Sequence, residues 1–179
     1  MLFRSMAKRQ STTAKITKKA KQLIEGYVTR TGNGVIIRYR GKEVGVTAEN
    51  LDTLPPASEC TIRKTTIATL EKWFERYSTV YDLITSDSNG TAGVPASRYI
   101  VSRKGGIETV SLRSLTPFKV SRFIDNTLDC ETVGLWRSGQ VYYLDANTSF
   151  DRLPTAIEYG RSQDQIAIFD TVTESDILC

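Results

Sequence analysis

Apolar residues recurring at alternating three- and four-residue steps pick out one long stretch: Ile67, Leu70, Phe74, Tyr77, Tyr81 and Ile84, with Trp73 and Val80 widening the stripe. That period predicts an amphipathic α-helix over residues 66–84, laid on a core, with Glu71, Lys72, Glu75, Arg76 and Asp82 on its outer surface. A second helix is expected from about Thr13, where Ile16, Ala20, Leu23, Ile24 and Tyr27 share a face. Ser11, Thr12 and Thr13 offer N-caps for it, and Gly26 marks its end. Beyond Gly26 the period changes to two, predicting strands over 27–30, 35–40 and 43–47, with Gly32-Asn33-Gly34 and Gly41-Lys42 as turns. In the middle strand Val35, Ile37 and Tyr39 point one way and Ile36, Arg38 and Arg40 the other. Pro55-Pro56 then breaks the chain, and a short apolar and basic piece, 60–64, leads into the long helix.

The polar, glycine-rich run 85–93 is the best candidate boundary. After it the pattern is almost wholly β in character. Strands over 99–103 and 107–112 flank Lys104-Gly105-Gly106, and 119–124 alternates. Strands 132–136 and 141–144 flank residues 137–140, and 156–159 and 166–170 flank 160–163. The chain therefore reads as α+β: an α-β-β-β-α region over 13–85 with a long amphipathic helix, then a β-rich region over 94–172, a small barrel or sandwich of antiparallel hairpins. Residues 1–12 read as a basic flexible arm and 173–179 as a loosely held acidic tail.

Charge sharpens this picture. The formal net charge of +4 hides a gradient along the chain. Residues 1–64 hold 13 Lys and Arg against 5 Asp and Glu, whereas 123–179 hold 3 against 10. No acidic residue precedes Glu25. A basic first third suits a polyanion, because release of condensed counterions drives phosphate binding without exact geometry. The candidate nucleic-acid-binding residues are Lys8, Arg9, Lys15, Lys18, Lys19 and Lys21 on the arm and first helix, with Arg38 and Arg40, which share a face of the middle strand, beside Lys42 at the turn. Solvating groups on a surface helix, or a mitochondrial-type presequence for the arm, are the other readings of those lysines. The opposed ends also allow acidic and basic surfaces of separate copies to associate, as in a structural or assembly subunit such as a component of a viral particle.

Candidate chemistry is sparse. The chain contains no histidine, which excludes histidine-based triads, histidine-ligated metals and histidine switches within it. Cys60, Cys130 and Cys179 are widely spaced and form no C-x-x-C pair. Asp125, Asp129, Glu131, Asp145, Asp151 and Glu158 have no spacing that specifies a cation loop, and asparagines in the glycan-acceptor pattern read as polar turns. Trp73, Tyr77 and Tyr81 belong by spacing to the core and not to a base-stacking platform; one of Tyr142 and Tyr143 must face outward. No apolar run approaches a bilayer crossing. The expectation is a soluble, non-enzymatic protein of the cytoplasm or a nucleoid-like compartment, without cofactor or metal. It binds nucleic acid, with a protein partner or self-association as the alternative and no membrane partner.

Overall fold

A computed structural model describes residues 13–179; the expected basic arm over 1–12, with Lys8 and Arg9, lies outside the described residues. The fold is α+β with two antiparallel sheets. The chain divides into two compact units, Met1–Glu71 and Lys72–Cys179.

In the first unit β1 (Ala14–Lys15) precedes α1 (Lys18–Thr31), followed by β2 (Val35–Tyr39), β3 (Lys42–Val46), two short 3-10 turns, β4 (Cys60–Ile62) and the start of α2 (Ile67–Thr85). The sheet order is β1-β4-β2-β3. Its inner face buries Val35, Ile37, Val46 and Ile62 against Ala20, Ile24 and Val28 of α1 and Leu70 of α2. Each of these valines, isoleucines and leucines, fully buried, contributes about 1.5–3 kcal/mol.

α1 corrects the expected helix end and the expected strand over 27–30. Ala20, Ile24, Val28 and Thr31 are buried at helical spacing straight through Gly26. The helix stops at Gly32, whose φ of 69° is left-handed and whose N–H donates to the Val28 carbonyl. At the other end the Thr17 hydroxyl accepts from the Ala20 N–H at 3.1 Å. The third strand of the expected α-β-β-β-α order is instead β4, inside the piece read as merely apolar and basic.

The β2–β3 hairpin turns on Arg40-Gly41, since Tyr39 pairs directly with Lys42. Both turn residues have positive φ, 46° and 77°, as a type I′ turn demands. A Cβ at Gly41 would meet no atom within 4 Å, so a side chain there is opposed by backbone strain alone. Gly41→Val is expected to cost about 1–2 kcal/mol in urea unfolding. An unchanged midpoint would contradict this turn.

In the second unit the remainder of α2 is followed by β5 (Gly90–Ala92), β6 (Tyr99–Ser111), α3 (Pro117–Asn126), β7 (Thr132–Ser138), β8 (Val141–Phe150), α4 (Leu153–Ser162), β9 (Ala167–Asp170) and β10 (Ser175–Leu178). The sheet order is β10-β9-β6-β8-β7-β5. A core of Tyr99, Val101, Ala156 and Ile168 joins α4 to β6 and β9.

Two expected strands are helices. Residues 119–124 lie in α3, started by Thr116-Pro117, and bury Val120, Phe123 and Ile124 at i, i+3 and i+4. Residues 156–159 lie in α4, which buries Ala156 and Gly160 one turn apart. Gly160 sits where an added Cβ would come within 2.7 Å of the Cys179 sulfur and 3.1 Å of Ile168. The expected hairpin at Lys104-Gly105-Gly106 is a bulge within one long strand. Ser102 pairs with Asn147 and Ile107 with Asp145, leaving residues 103–106 opposite Ala146 alone. The acidic tail is tied down as well, its residues 175–178 pairing with β9 as β10. The polar run 85–93 is stitched into the second unit through β5 and through Asp87, which accepts a hydrogen bond from the Tyr142 hydroxyl at 2.9 Å. The division between units falls inside α2 and not in that run.

Candidate nucleic-acid interface

The outer face of the first unit's sheet, opposite α1, is built by strand alternation. Ala14 and Ile16 turn inward, which sends Lys15 outward; Cys60 and Ile62 do the same for Thr61 and Arg63. Pairing then fixes one row across all four strands: Lys15 opposite Thr61, Thr61 opposite Arg38, and Arg38 opposite Glu43. At about 4.8 Å per strand the row is about 14 Å wide, and Lys15 and Arg38 stand about 10 Å apart across the small Thr61. The neighbouring position is Ile36 opposite Gly45, so the relief stays low.

The electrostatics of this face are uneven. The Glu43 carboxylate is taken by Arg63, whose Nε donates to it at 2.8 Å. Lys15 and Arg38 are exposed, and neither has an ion-pair partner among the described residues. Two uncommitted cations and one internally neutralised pair therefore share the face.

The other expected residues do not join them. Arg40 is a turn residue, and its Nε donates to Glu59 at 2.9 Å, which raises the guanidinium pKa above its ordinary value. Lys42 has the parity of the inner face, at the edge of the sheet beside Tyr39. The expectation that Arg38 and Arg40 share a face beside Lys42 fails because the turn begins one residue earlier than the alternation suggested. Lys18, Lys19 and Lys21 lie on α1, in the helical layer. Lys19 meets Glu71 at 2.7 Å and Lys21 meets Glu25 at 3.8 Å, while Lys18 is exposed. These three lysines crowd the positive end of the helix dipole, with no acidic residue in the first turn to offset it.

Sequence reasoning passed over Arg63 and Thr61, although the alternation of Cys60, Thr61, Ile62 and Arg63 carried the signal. It also placed Arg76 on the outer surface of α2. Arg76 is only 1% exposed and donates to the carbonyls of Thr127 at 2.9 Å, Glu131 at 2.7 Å and Cys130. Its Nη1 also lies 3.4 Å from the Cys130 sulfur, and Lys72 donates to the Cys130 carbonyl at 2.8 Å. Burial lowers the pKa of both cations. Their role is to hold the loop before β7.

Elsewhere in the second unit four cations are committed to the unit's own carboxylates, whereas Arg113, Lys119, Arg122, Arg152 and Arg161 join no ion pair among the described residues. Arg98 forks onto Asp170 at 2.8 and 2.7 Å and holds that carboxyl well below the usual range. Arg103 forks onto Asp129, Lys104 meets Asp164 and Arg137 meets Asp87. Among the described residues no three Cys, Asp or Glu side chains converge as metal ligands. Trp73 and Tyr77 are buried and stacked at 4.8 Å, core residues as their spacing predicts. Tyr142 is the inward member of its pair, while Tyr143 retains exposure. Among the described residues no helix is long and apolar enough to cross a membrane. No protein-family model matches the chain, and no curated protein or solved structure is significantly similar to it.

Proposed function

We propose that this is a non-enzymatic nucleic-acid-binding protein of an intracellular compartment, and that it contacts phosphates through the outer sheet face of its first unit. The observation that carries the reading is the row Lys15–Thr61–Arg38–Glu43, in which two exposed cations lack ion-pair partners among the described residues on a low, open face. Charge at the scale of the whole unit supports it: residues 1–71 hold 13 Lys and Arg against 6 Asp and Glu, and residues 72–179 hold 11 against 14. A sheet about 14 Å across is of the order of the major-groove width of B-form DNA, about 12 Å. The absence of histidine from the sequence narrows the enzymatic alternatives.

Ile16 and Ala20 are buried in the core, so truncation to residue 21 would damage the fold; point substitutions are the informative test. Binding of the full chain to duplex DNA and duplex RNA is to be followed by fluorescence anisotropy as salt rises. The affinity should fall steeply with salt, and Lys15→Gln with Arg38→Gln should make the log–log slope shallower by about 2. Salt-independent or absent binding to both polymers would dispose of the reading. The opposed charges of the two units favour a second reading, self-association through acidic and basic surfaces. Concentration-dependent growth at low salt in a sizing column, without nucleic acid, is its signature.

A further inference from the structure

The second unit's sheet has a face of different chemistry. Thr132 stands opposite Asn147, Gly134 opposite Asp145 and Trp136 opposite Tyr143, so these six residues form one patch on β7 and β8. Asp145, Asn147 and Thr132 are buried, and the patch is open at the Trp136 end, where the indole is 45% exposed. The indole lies flat against Tyr143, with ring centroids 4.4 Å apart and planes at 15°. Its Nε1–H donates to Asp145 Oδ2 at 2.9 Å, which fixes the ring from below. β5 begins at Gly90, opposite Leu135, so on the side away from Tyr143 the ladder has ended beside the indole, and the neighbouring Asn89 turns its side-chain oxygen to the Arg137 N–H at 2.8 Å.

We infer that this face is a binding site for a neutral carbohydrate, one sugar ring stacking on the free side of Trp136. Three features select that ligand. First, an exposed indole held by a stack and a hydrogen bond loses little conformational freedom when covered, so its apolar area counts almost in full toward binding. Second, hydroxyl and amide groups dominate the rest of the patch and its flank: Ser102 donates to Asn147 Oδ1 at 3.0 Å, and Ser138 ends β7. Third, Asp145 is the only charged residue in the patch, and Arg137, next in the chain to Trp136, is engaged by Asp87. A phosphate-bearing ligand finds no counter-charge among these residues, whereas a sugar ring with an apolar face and a hydroxylated rim requires none. The site is built from residues of the second unit alone and does not depend on the nucleic-acid reading. Asp145 is a positioning residue here, since its carboxyl touches the indole and acts on the ligand through it.

The chain contains two tryptophans, and Trp73 is fully buried, so an emission change on ligand addition reports on Trp136. The full chain is to be titrated with cellohexaose, maltohexaose, chitohexaose and xylohexaose, and in parallel with adenosine and a single-stranded oligonucleotide, by fluorescence and calorimetry. At least one hexasaccharide is expected to give saturable binding in the range of about 0.1–1 mM. Trp136→Ala should abolish it, Asp145→Ala should weaken it about tenfold, and Asp145→Asn, which keeps an acceptor for the indole N–H, should stay within about twofold. An amide-resolved NMR spectrum of each variant establishes that the fold is retained. No saturable change with any hexasaccharide, or saturation by adenosine or the oligonucleotide alone, overturns the proposal. Asp145→Asn as weak as Asp145→Ala overturns the positioning role.

Discussion

Arg76→Ala is expected to lower the stability of the second unit by about 3 kcal/mol or more, the largest effect of any single substitution outside the apolar cores. The guanidinium is buried and has three backbone carbonyls as acceptors, those of Thr127, Cys130 and Glu131. After the substitution Lys72 still donates to the Cys130 carbonyl and the Cys130 N–H to the Thr127 carbonyl. The Glu131 carbonyl is the one left without this donor, at about 1–3 kcal/mol, while the charge-assisted bonds to the other two are lost at about 1.5–3 kcal/mol each. Arg76→Lys should recover only a minor part, because a single ammonium cannot fork to two separated acceptors. Arg76→Met restores volume without donors and should resemble alanine. Urea unfolding monitored by circular dichroism measures all three. A loss below about 1 kcal/mol for alanine would mean that the loop over 127–131 satisfies its carbonyls without Arg76.

Asp145→Asn should stabilise the protein at neutral pH, and the pH dependence identifies the cause. Burial pushes the Asp145 carboxyl up to about 6 from its ordinary 3.8, with the Trp136 N–H only partly opposing the shift. A folded-state pKa above the unfolded value means that folding favours the protonated form. The associated stability is fully present below about pH 4 and is lost as pH rises through about 6. At pH 7.5 the folded protein carries a buried carboxylate at an expense of up to about 3 kcal/mol. Asparagine removes the charge and keeps an acceptor for the indole. The variant should therefore be more stable than the parent by about 2–3 kcal/mol at pH 7.5, with the difference shrinking through pH 6 and vanishing near pH 4. Paired thermal melts across that range test the claim. A pH-independent difference, or destabilisation at pH 7.5, would contradict it.

What the sequence made legible follows from how long each pattern is sustained. α2 repeats its stripe over 19 residues and was readable almost to the residue. α3 and α4 span 10 residues each, and their apolar positions fit period two as well as period 3.6. What distinguished them was the start signal, Thr116-Pro117 and Leu153-Pro154, which outweighs a short alternation. Gly26 misled for a related reason: glycine inside a helix costs only about 1 kcal/mol, which the continuous stripe from Ala20 to Thr31 offsets. Arg76 was misplaced by its charge, although it lies three residues from Trp73 and four from Val80, on the buried side of α2. The basic character of the first third was legible, whereas its division was not. Whether Arg40 and Lys19 meet a carboxylate depends on Glu59 and Glu71, brought near by the fold from positions remote in sequence. The stacking of Trp136 on Tyr143 likewise depends on a register that no local pattern specifies.

The central claim concerns a place as much as an activity, and backbone amide NMR of the full chain locates it most directly. On titration with duplex nucleic acid at low salt, the largest shift changes are predicted at Lys15, Thr61, Arg38 and Glu43, the row across the outer sheet face. They should diminish together as salt is raised. Changes centred on Lys18 and Lys19 of α1, or within residues 72–179, or none at all, would contradict the account.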